Sequence, residues 1–265
     1  MELWQILCLS SYCLIVAVLG GYGIHRYNLL KLYYKHRNKK TKPPIKLSKL
    51  PSVTIQLPLY NELHVAQRLI EATSKLDYPK GRLHIQVLDD STDQTREYAS
   101  HSCSRLTQQG FNISYKSRNN RIGYKAGALA SALKTVNSQL ILILDADFIP
   151  PTDLLKNTVH YFSDPKVGMV QTRWSHLNRS HSLLTRIQSI FLDGHFVIEH
   201  IARSSSGRFF NFNGTAGIWR KEAIVDAGGW EHDTLTEDLD LSYRAQLRGW
   251  KFLYLPDIAV PGEIP

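Results

Sequence analysis

Five large aliphatic residues in a row, Leu140-Ile141-Leu142-Ile143-Leu144, run directly into Asp145-Ala146-Asp147. A stretch that is apolar at every position and bounded by polar residues reads as a strand buried on both faces. Such strands belong to parallel sheets covered by helices. In an open α/β sheet, side chains just past the carboxyl end of a strand point into the crevice where ligands bind. Two acids one residue apart at that edge can both face a divalent cation. Alone, Asp-x-Asp is more often a helix cap or a turn.

Two further strand-like runs shift that balance. The run 53–57 leads into Pro58-Leu59-Tyr60-Asn61-Glu62, and the run 83–88 into Asp89-Asp90-Ser91-Thr92-Asp93. Three strands thus deliver acids to one edge. Repulsion among carboxylates opposes such clustering unless a cation or hydrogen-bond donors compensate, so a nucleotide-metal site explains it better than packing does. Around these runs the pattern alternates, with helices predicted over 63–74, 94–109 and 125–136 and a further strand over 112–116. That predicts βαβ units and a parallel sheet. Past Pro151 the pattern is more mixed: a helix over 152–162, a strand over 167–172, a long amphipathic helix over 183–200, an aromatic strand and turn over 209–219, a helix over 237–247 and a strand over 251–255.

The chain has 265 residues and a net charge of +9, which invites a nucleic-acid reading until the charge is located. Residues 26–49 hold seven Lys, two Arg and no acid, and the remainder balances at 23 basic and 23 acidic residues. Immediately before that segment, 3–24 carries no charge and is long enough to cross a bilayer as a helix. A cleaved signal peptide normally has positive charge before the apolar stretch, whereas here Glu2 precedes it and the Lys and Arg follow. The positive-inside rule then puts the rest of the chain in the cytosol, with the basic residues against anionic headgroups. The predicted organisation is a transmembrane helix over 1–25, a basic linker over 26–49 that includes Thr41-Lys42-Pro43-Pro44, and one α/β domain over 50–265. Membrane lipids are expected partners and nucleic acid is not. Cys8, Cys13 and Cys103 form no metal-ligand spacing and no disulfide framework.

Six motifs occur in a fixed order: Pro58-Leu59-Tyr60-Asn61-Glu62, Asp89-Asp90-Ser91-Thr92-Asp93, Lys125-Ala126-Gly127-Ala128-Leu129, Asp145-Ala146-Asp147, Phe212-Asn213-Gly214-Thr215 and Thr236-Glu237-Asp238. Together they resemble the family 2 inverting glycosyltransferases, and within them the membrane-bound, processive cellulose-synthase-like enzymes of the glucomannan and mannan synthase branch. The likeness to that branch is carried further by Asn120-Arg121-Ile122-Gly123-Tyr124 and Gly228-Gly229-Trp230. The resemblance implies a GT-A fold, a Rossmann-like sheet that takes a nucleotide-sugar donor (GDP-mannose or UDP-glucose) with Mg²⁺ or Mn²⁺, and a glycan or lipid acceptor. It implies that Tyr60, Glu62, Asp89, Asp90, Lys125 and Asp145 bind the nucleotide-sugar, and that Asp145 and Asp147 hold the metal. Asn213, Gly214, Thr215, Thr236 and Glu237 would border the acceptor, with Asp238 as the base that activates its hydroxyl. Thr236 is expected to cap the helix from whose first turn Asp238 projects.

Trp174, Trp219 and Trp230 could stack on sugar rings but read more simply as core, as do His176, His181, His195 and His200 as core or solvated histidines. Gln171-Thr172-Arg173-Trp174 has one spacer too few to be the Gln-x-x-Arg-Trp acceptor motif of processive relatives. That motif and the membrane helices after it do not follow within the sequence, so the chain is expected to bind donor better than it builds polymer. The resemblance implies inverting transfer of a hexose to a growing β-linked polysaccharide at the plasma membrane or Golgi; transfer of one sugar to a lipid, and a silent donor-binding subunit of a synthase, are the alternatives.

Overall fold

A computed structural model describes residues 2–39, 41, 43, 45–118 and 120–264; Lys40, Lys42 and Pro44 of the expected linker lie outside the described residues. Helix α1 (Leu3–His36) continues through Arg26 and Lys31 instead of ending near Ile24. Nothing in 25–36 is Gly or Pro, and Leu29 is buried where α1 meets the domain, so both propensity and packing carry the helix on. Its apolar part, with a mean hydropathy of 2.0, is exposed on every side and is long enough to cross a membrane.

The domain is built on a seven-stranded sheet in the order β3-β2-β1-β4-β6-β5-β7. The strands are β1 (Val53–Leu59), β2 (Leu83–Asp89), β3 (Ile113–Ser117), β4 (Leu140–Ile143), β5 (Val167–His176), β6 (Gly217–Arg220) and β7 (Lys251–Gly262). Strands β1 to β4 are mutually parallel, as the alternation predicts, with α2 (Ala66–Ser74), α3 (Thr95–Gln108) and α4 (Tyr124–Leu133) between them. The sheet as a whole is mixed, because β6 runs antiparallel to both β4 and β5. Leu59 pairs with Asp89 and Gln56 with Ile143, so the acid-bearing ends of β1, β2 and β4 emerge side by side.

The second half departs from its sequence reading in four places. The helical stretch after Pro151 is short, α5 (Leu154–Thr158) followed by a 3₁₀ turn over Val159–Ser163. The helix expected over 183–200 is α6 (Leu183–Asp193), a π-helical turn over Gly194–Glu199 and then α7 (His200–Ser205). Most of 209–219 is a loop, and only Gly217 onward pairs as β6. Strand β7 runs on to Gly262 through a shift in register opposite Thr172 and Arg173, which brings Glu263 against the Asp147 carbonyl. Helices α8 (Lys221–Asp226) and α9 (Glu237–Leu247) complete the domain.

The aliphatic run that predicted a doubly buried strand feeds both cores. Leu140, Leu142 and Leu144 pack on one face of the sheet with Ile55, Leu57 and Leu69, while Ile141 and Ile143 pack on the other with Phe212, Trp219 and Trp230. Trp219 is completely buried and meets Phe212, Trp230 and Phe252 edge to face. Trp219 and Trp230 are therefore core residues, and Trp174 packs between Phe148 and Phe196. Trp219→Ala is expected to remove about 3–5 kcal/mol of stability, read as a lowered denaturation midpoint at unchanged slope.

Candidate active site

The loops after β1 and β2 are tied to each other before they can meet anything else. Asn61 adopts a left-handed conformation (φ 55°), tolerable for an Asn, and its backbone N–H donates to Ser91 Oγ at 2.9 Å. Its side-chain oxygen accepts from the Thr92 N–H at 2.8 Å. Asp89 is spent inside this structure: it is 1 % exposed and accepts from the Ser91 N–H and the Tyr115 hydroxyl. Of the two neighbouring acids only Asp90 lines the crevice, so the structure makes Asp89 a support of the loop rather than a wall.

The crevice itself, about 260 Å³, is lined by Tyr60, Glu62, Asp90, Arg121, Lys125, Asp145 and Asp147 among others. Asp90 is gripped by the Arg118 guanidinium in a two-pronged ion pair, and the same guanidinium donates to the Ile122 and Tyr124 carbonyls. Arg121 lies over the Tyr60 ring, 3.1 Å from its centre. Arg121 belongs to the Asn120-Arg121-Ile122-Gly123-Tyr124 motif without a role implied for it, and Arg118 lies outside every motif, although the basic stretch after a strand ending at this same edge is the signal for both. A Cβ at Gly127 would overlap the Ile122 carbonyl oxygen and crowd Arg118. Gly127→Ala is expected to shift this loop, lower stability by about 1–3 kcal/mol and weaken any ligand held at Asp90.

Lys125, near the start of α4, joins three of the motifs. Its Nζ lies 2.5 Å from Asp145 Oδ1 and 3.0 Å from the Gly214 carbonyl oxygen. The Asp145 N–H donates to Thr215 Oγ1 at 2.8 Å, so the 212–215 loop is pinned to the end of β4 at two points. Gln171, fully buried on β5, holds the loop from below: its amide donates to the Thr215 and Ala216 carbonyls and its oxygen accepts from the Asn213 N–H.

Asp147 makes no ion pair with the described residues, and burial, then the charges of Asp145, Glu62 and Glu263, push its carboxyl up to about 6. Glu62 is raised for the same reasons, burial first and then Asp145 and Asp93. Glu263 is itself paired with Arg68 at 2.5 Å. Negative charge is thus concentrated around Asp145, Asp147 and Glu62.

Asp238 reaches this centre from α9. Gly214 has a positive φ of 77°, and a Cβ placed on it would lie 3.3 Å from Asp238 Oδ2 and 3.4 Å from Lys125 Nζ, so both charges flank one glycine. Burial, partly offset by the Leu239 N–H and Lys125, raises the Asp238 carboxyl. Helix α9 is locked to the loop by Ser242, which accepts from the Phe212 N–H, and by Gln246, which bonds both polar backbone groups of Phe210. Thr236 does not cap the helix with its side chain as expected; it is exposed, Glu237 is half-buried, and Asp238 itself accepts from the Leu239 N–H.

A ligand crevice at the carboxyl ends of a parallel half-sheet, where a mixed half-sheet joins it, puts the chain in the class of nucleotide-binding α/β folds. The family model described as glycosyltransferase like family 2 matches residues 51–263, and the chain belongs to that family. It is 45 % identical over 249 residues to glucomannan 4-beta-mannosyltransferase 2 of Arabidopsis thaliana, covering 89 % of this chain and 47 % of that protein. It is 42 % identical over 262 residues to glucomannan 4-beta-mannosyltransferase 1 of Cyamopsis tetragonoloba, covering 97 % and 48 % respectively. The chain spans about half the length of the curated relatives it matches. The fold is similar to that of the mannosyltransferase PcManGT from Pyrobaculum calidifontis in complex with GDP-Man and Mn²⁺, with a TM-score of 0.73, 23 % identity and coverage of 93 % of this chain and 68 % of that one.

Proposed function

We propose that the crevice binds GDP-mannose with a divalent cation and that the domain transfers mannose, with inversion, to a β-linked glycan at a membrane. The observation that carries this reading is the convergence of Asp145, Asp147, Lys125 and Asp238 on Gly214 and the end of β4. The mannosyltransferase names of the relatives and the GDP-Man of the structural neighbour support the choice of donor.

The acids fit a hard cation. Among the described residues no cluster of three or more His, Cys, Asp or Glu is disposed to hold a metal unaided. Asp145 and Asp147 in the crevice offer the one or two carboxylates by which Mg²⁺ is commonly held, with substrate phosphates and water completing its shell. Asp147 supplies a carboxylate crowded by its neighbours, and Asp145 a second once Lys125 turns to the diphosphate. A bound cation offsets the charge that develops on the departing diphosphate. Lys125 adds a second positive charge there, Tyr60 and Arg121 receive the nucleoside end with Glu62 and Asp90, and Asp238 takes the proton of the attacking hydroxyl. A carboxyl raised by burial is a stronger base than an ordinary one, which is what that proton transfer needs. Asn213, Gly214, Thr215, Thr236 and Glu237 border the acceptor. Helix α1 holds the domain at a bilayer, with its trailing basic residues on the cytosolic face.

The test is incubation of the full chain in lipid nanodiscs with radiolabelled GDP-mannose, Mn²⁺ and a mannan oligosaccharide. Label in alcohol-insoluble glycan is the expected result. Label that extracts into organic solvent would show a lipid acceptor instead, and label released only as free mannose would remove the transferase reading.

A further inference from the structure

Behind the 212–215 loop, and entering it at Asn213, runs a half-buried polar chain that ends at the buried His200, and its proton positions follow from its contacts. Asn211 Nδ2 is 3.1 Å from the Phe212 carbonyl oxygen and 3.2 Å from Asn213 Oδ1. A carbonyl only accepts, so the Asn211 atom is its NH₂ group and the Asn213 atom facing it is an oxygen. That oxygen lies 2.9 Å from His195 Nε2, which must therefore carry a proton. His195 Nδ1 faces Glu199 Oε2 at 3.3 Å. Glu199 also accepts from Arg203 and from Arg26 of α1, so it is an ionised carboxylate and His195 Nδ1 carries a proton as well. The ring is an imidazolium. On its other side, Asn213 Nδ2 donates to His200 Nε2 at 2.5 Å, which leaves His200 neutral with Nδ1 buried and without a hydrogen-bond partner.

We propose that His195, held as an imidazolium by Glu199, is a positioning residue that sets the 212–215 loop through Asn213 and so aligns Gly214, whose carbonyl holds Lys125 and whose Cα lies beside Asp238. The proposal rests on the reading of that loop as the acceptor's edge. Asn213 is the link because its side-chain oxygen accepts a hydrogen bond from His195 Nε2 while its backbone N–H donates to Gln171, and the carbonyl of the next residue, Gly214, holds Lys125. The π-helical turn over Gly194–Glu199 places His195 and Glu199 against each other, and such turns often mark functional positions in helices.

The charged groups around the ring agree with this state. Burial alone would hold His195 neutral, but its hydrogen bonds to Glu199 and Asn213 and the Glu199 charge outweigh burial and the opposing Arg203, so its pKa is raised. The His195 hydrogen bond in turn holds Glu199 down at about 2. Burial, then the His195 charge, drives His200 down to about 3. A raised histidine pKa means the clamp is complete below the ordinary histidine value and is lost as pH climbs through the folded value.

The test is ¹⁵N-histidine NMR on the full chain in lipid nanodiscs, paired with transfer kinetics. One histidine is expected with both ring nitrogens protonated at neutral pH. Its signal should vanish in His195→Gln and turn to a neutral tautomer in Glu199→Gln. In kinetics, His195→Gln should lower kcat about ten- to a hundredfold, as a slight misplacement of reacting groups does, with donor KM little changed and the alkaline fall in kcat removed. A neutral His195 in the wild type overturns the proposal, and so does a variant in which kcat keeps its alkaline fall. The NMR result does not depend on transfer, so a wild-type chain with the imidazolium but no activity upholds the clamp and refutes the functional reading instead.

Discussion

Asp147→Ala is expected to abolish metal-dependent binding of the donor. Asp147, like Glu62, is a crevice carboxylate in no ion pair with the described residues, and its pKa of about 6 reflects burial beside Asp145, Glu62 and Glu263. Removing one partner of a partly buried charge contact costs about 2–5 kcal/mol, or a thirtyfold loss of affinity at the least. Calorimetry with GDP-mannose and Mn²⁺ measures it directly. Two opposite pH responses accompany this expectation. A cation needs the deprotonated carboxylate, so donor affinity should fall as pH drops through about 6, where an ordinary aspartate would hold out to about 4. The empty fold behaves the other way. A carboxyl whose folded pKa is raised binds protons more readily folded than unfolded, so this group destabilises the apo protein fully above about 6, and the effect fades as pH falls from there to about 4. Asp147→Asn should therefore melt higher than wild type at neutral pH while failing to bind donor with metal, the exchange of stability for function that a crowded acid site entails.

Asp238→Asn should separate binding from chemistry. The amide keeps the shape of the side chain and its place beside Gly214, yet it cannot take a proton. Transfer to an acceptor is expected to fall about 10²- to 10⁴-fold, the contribution of a positioned general base, with donor affinity unchanged. Initial rates measured with saturating donor, beside calorimetry on the same preparation, decide it. Equal losses in both would make Asp238 a donor contact instead of a base.

The parts of this molecule that were legible in the sequence are those governed by local pattern. A short unbroken aliphatic run bounded by polar residues reads as a strand buried on both faces, and Leu140–Ile143 is that strand, feeding cores on both faces of the sheet. The acids after β1, β2 and β4 meet because parallel neighbours end at one edge, which follows from the alternation of strands and helices. What was hidden depends on partners distant in sequence. Asp89 and Asp90 look alike in the chain, and only the Tyr115 hydroxyl, from a strand 26 positions away, turns the first into the fold and leaves the second to Arg118. The antiparallel run of β6 leaves no trace in a four-residue strand, since it is set by pairing with β4 and β5. Helix α6 carried the expected amphipathic pattern, but the turn that follows it changes to π-helical where His195 and Glu199 meet the loop. Gln171 sat in a string that attracted notice for a different motif, while its work is to hold the backbone of 213–216.

The most direct measurement is calorimetric titration of the full chain in nanodiscs with GDP-mannose and with UDP-glucose, each in Mn²⁺ and in a chelator. GDP-mannose binding that appears only with the metal is the expected result. Binding of either donor that is indifferent to the metal, or no binding of either in its presence, would contradict a metal-assisted nucleotide-sugar site at the end of β4.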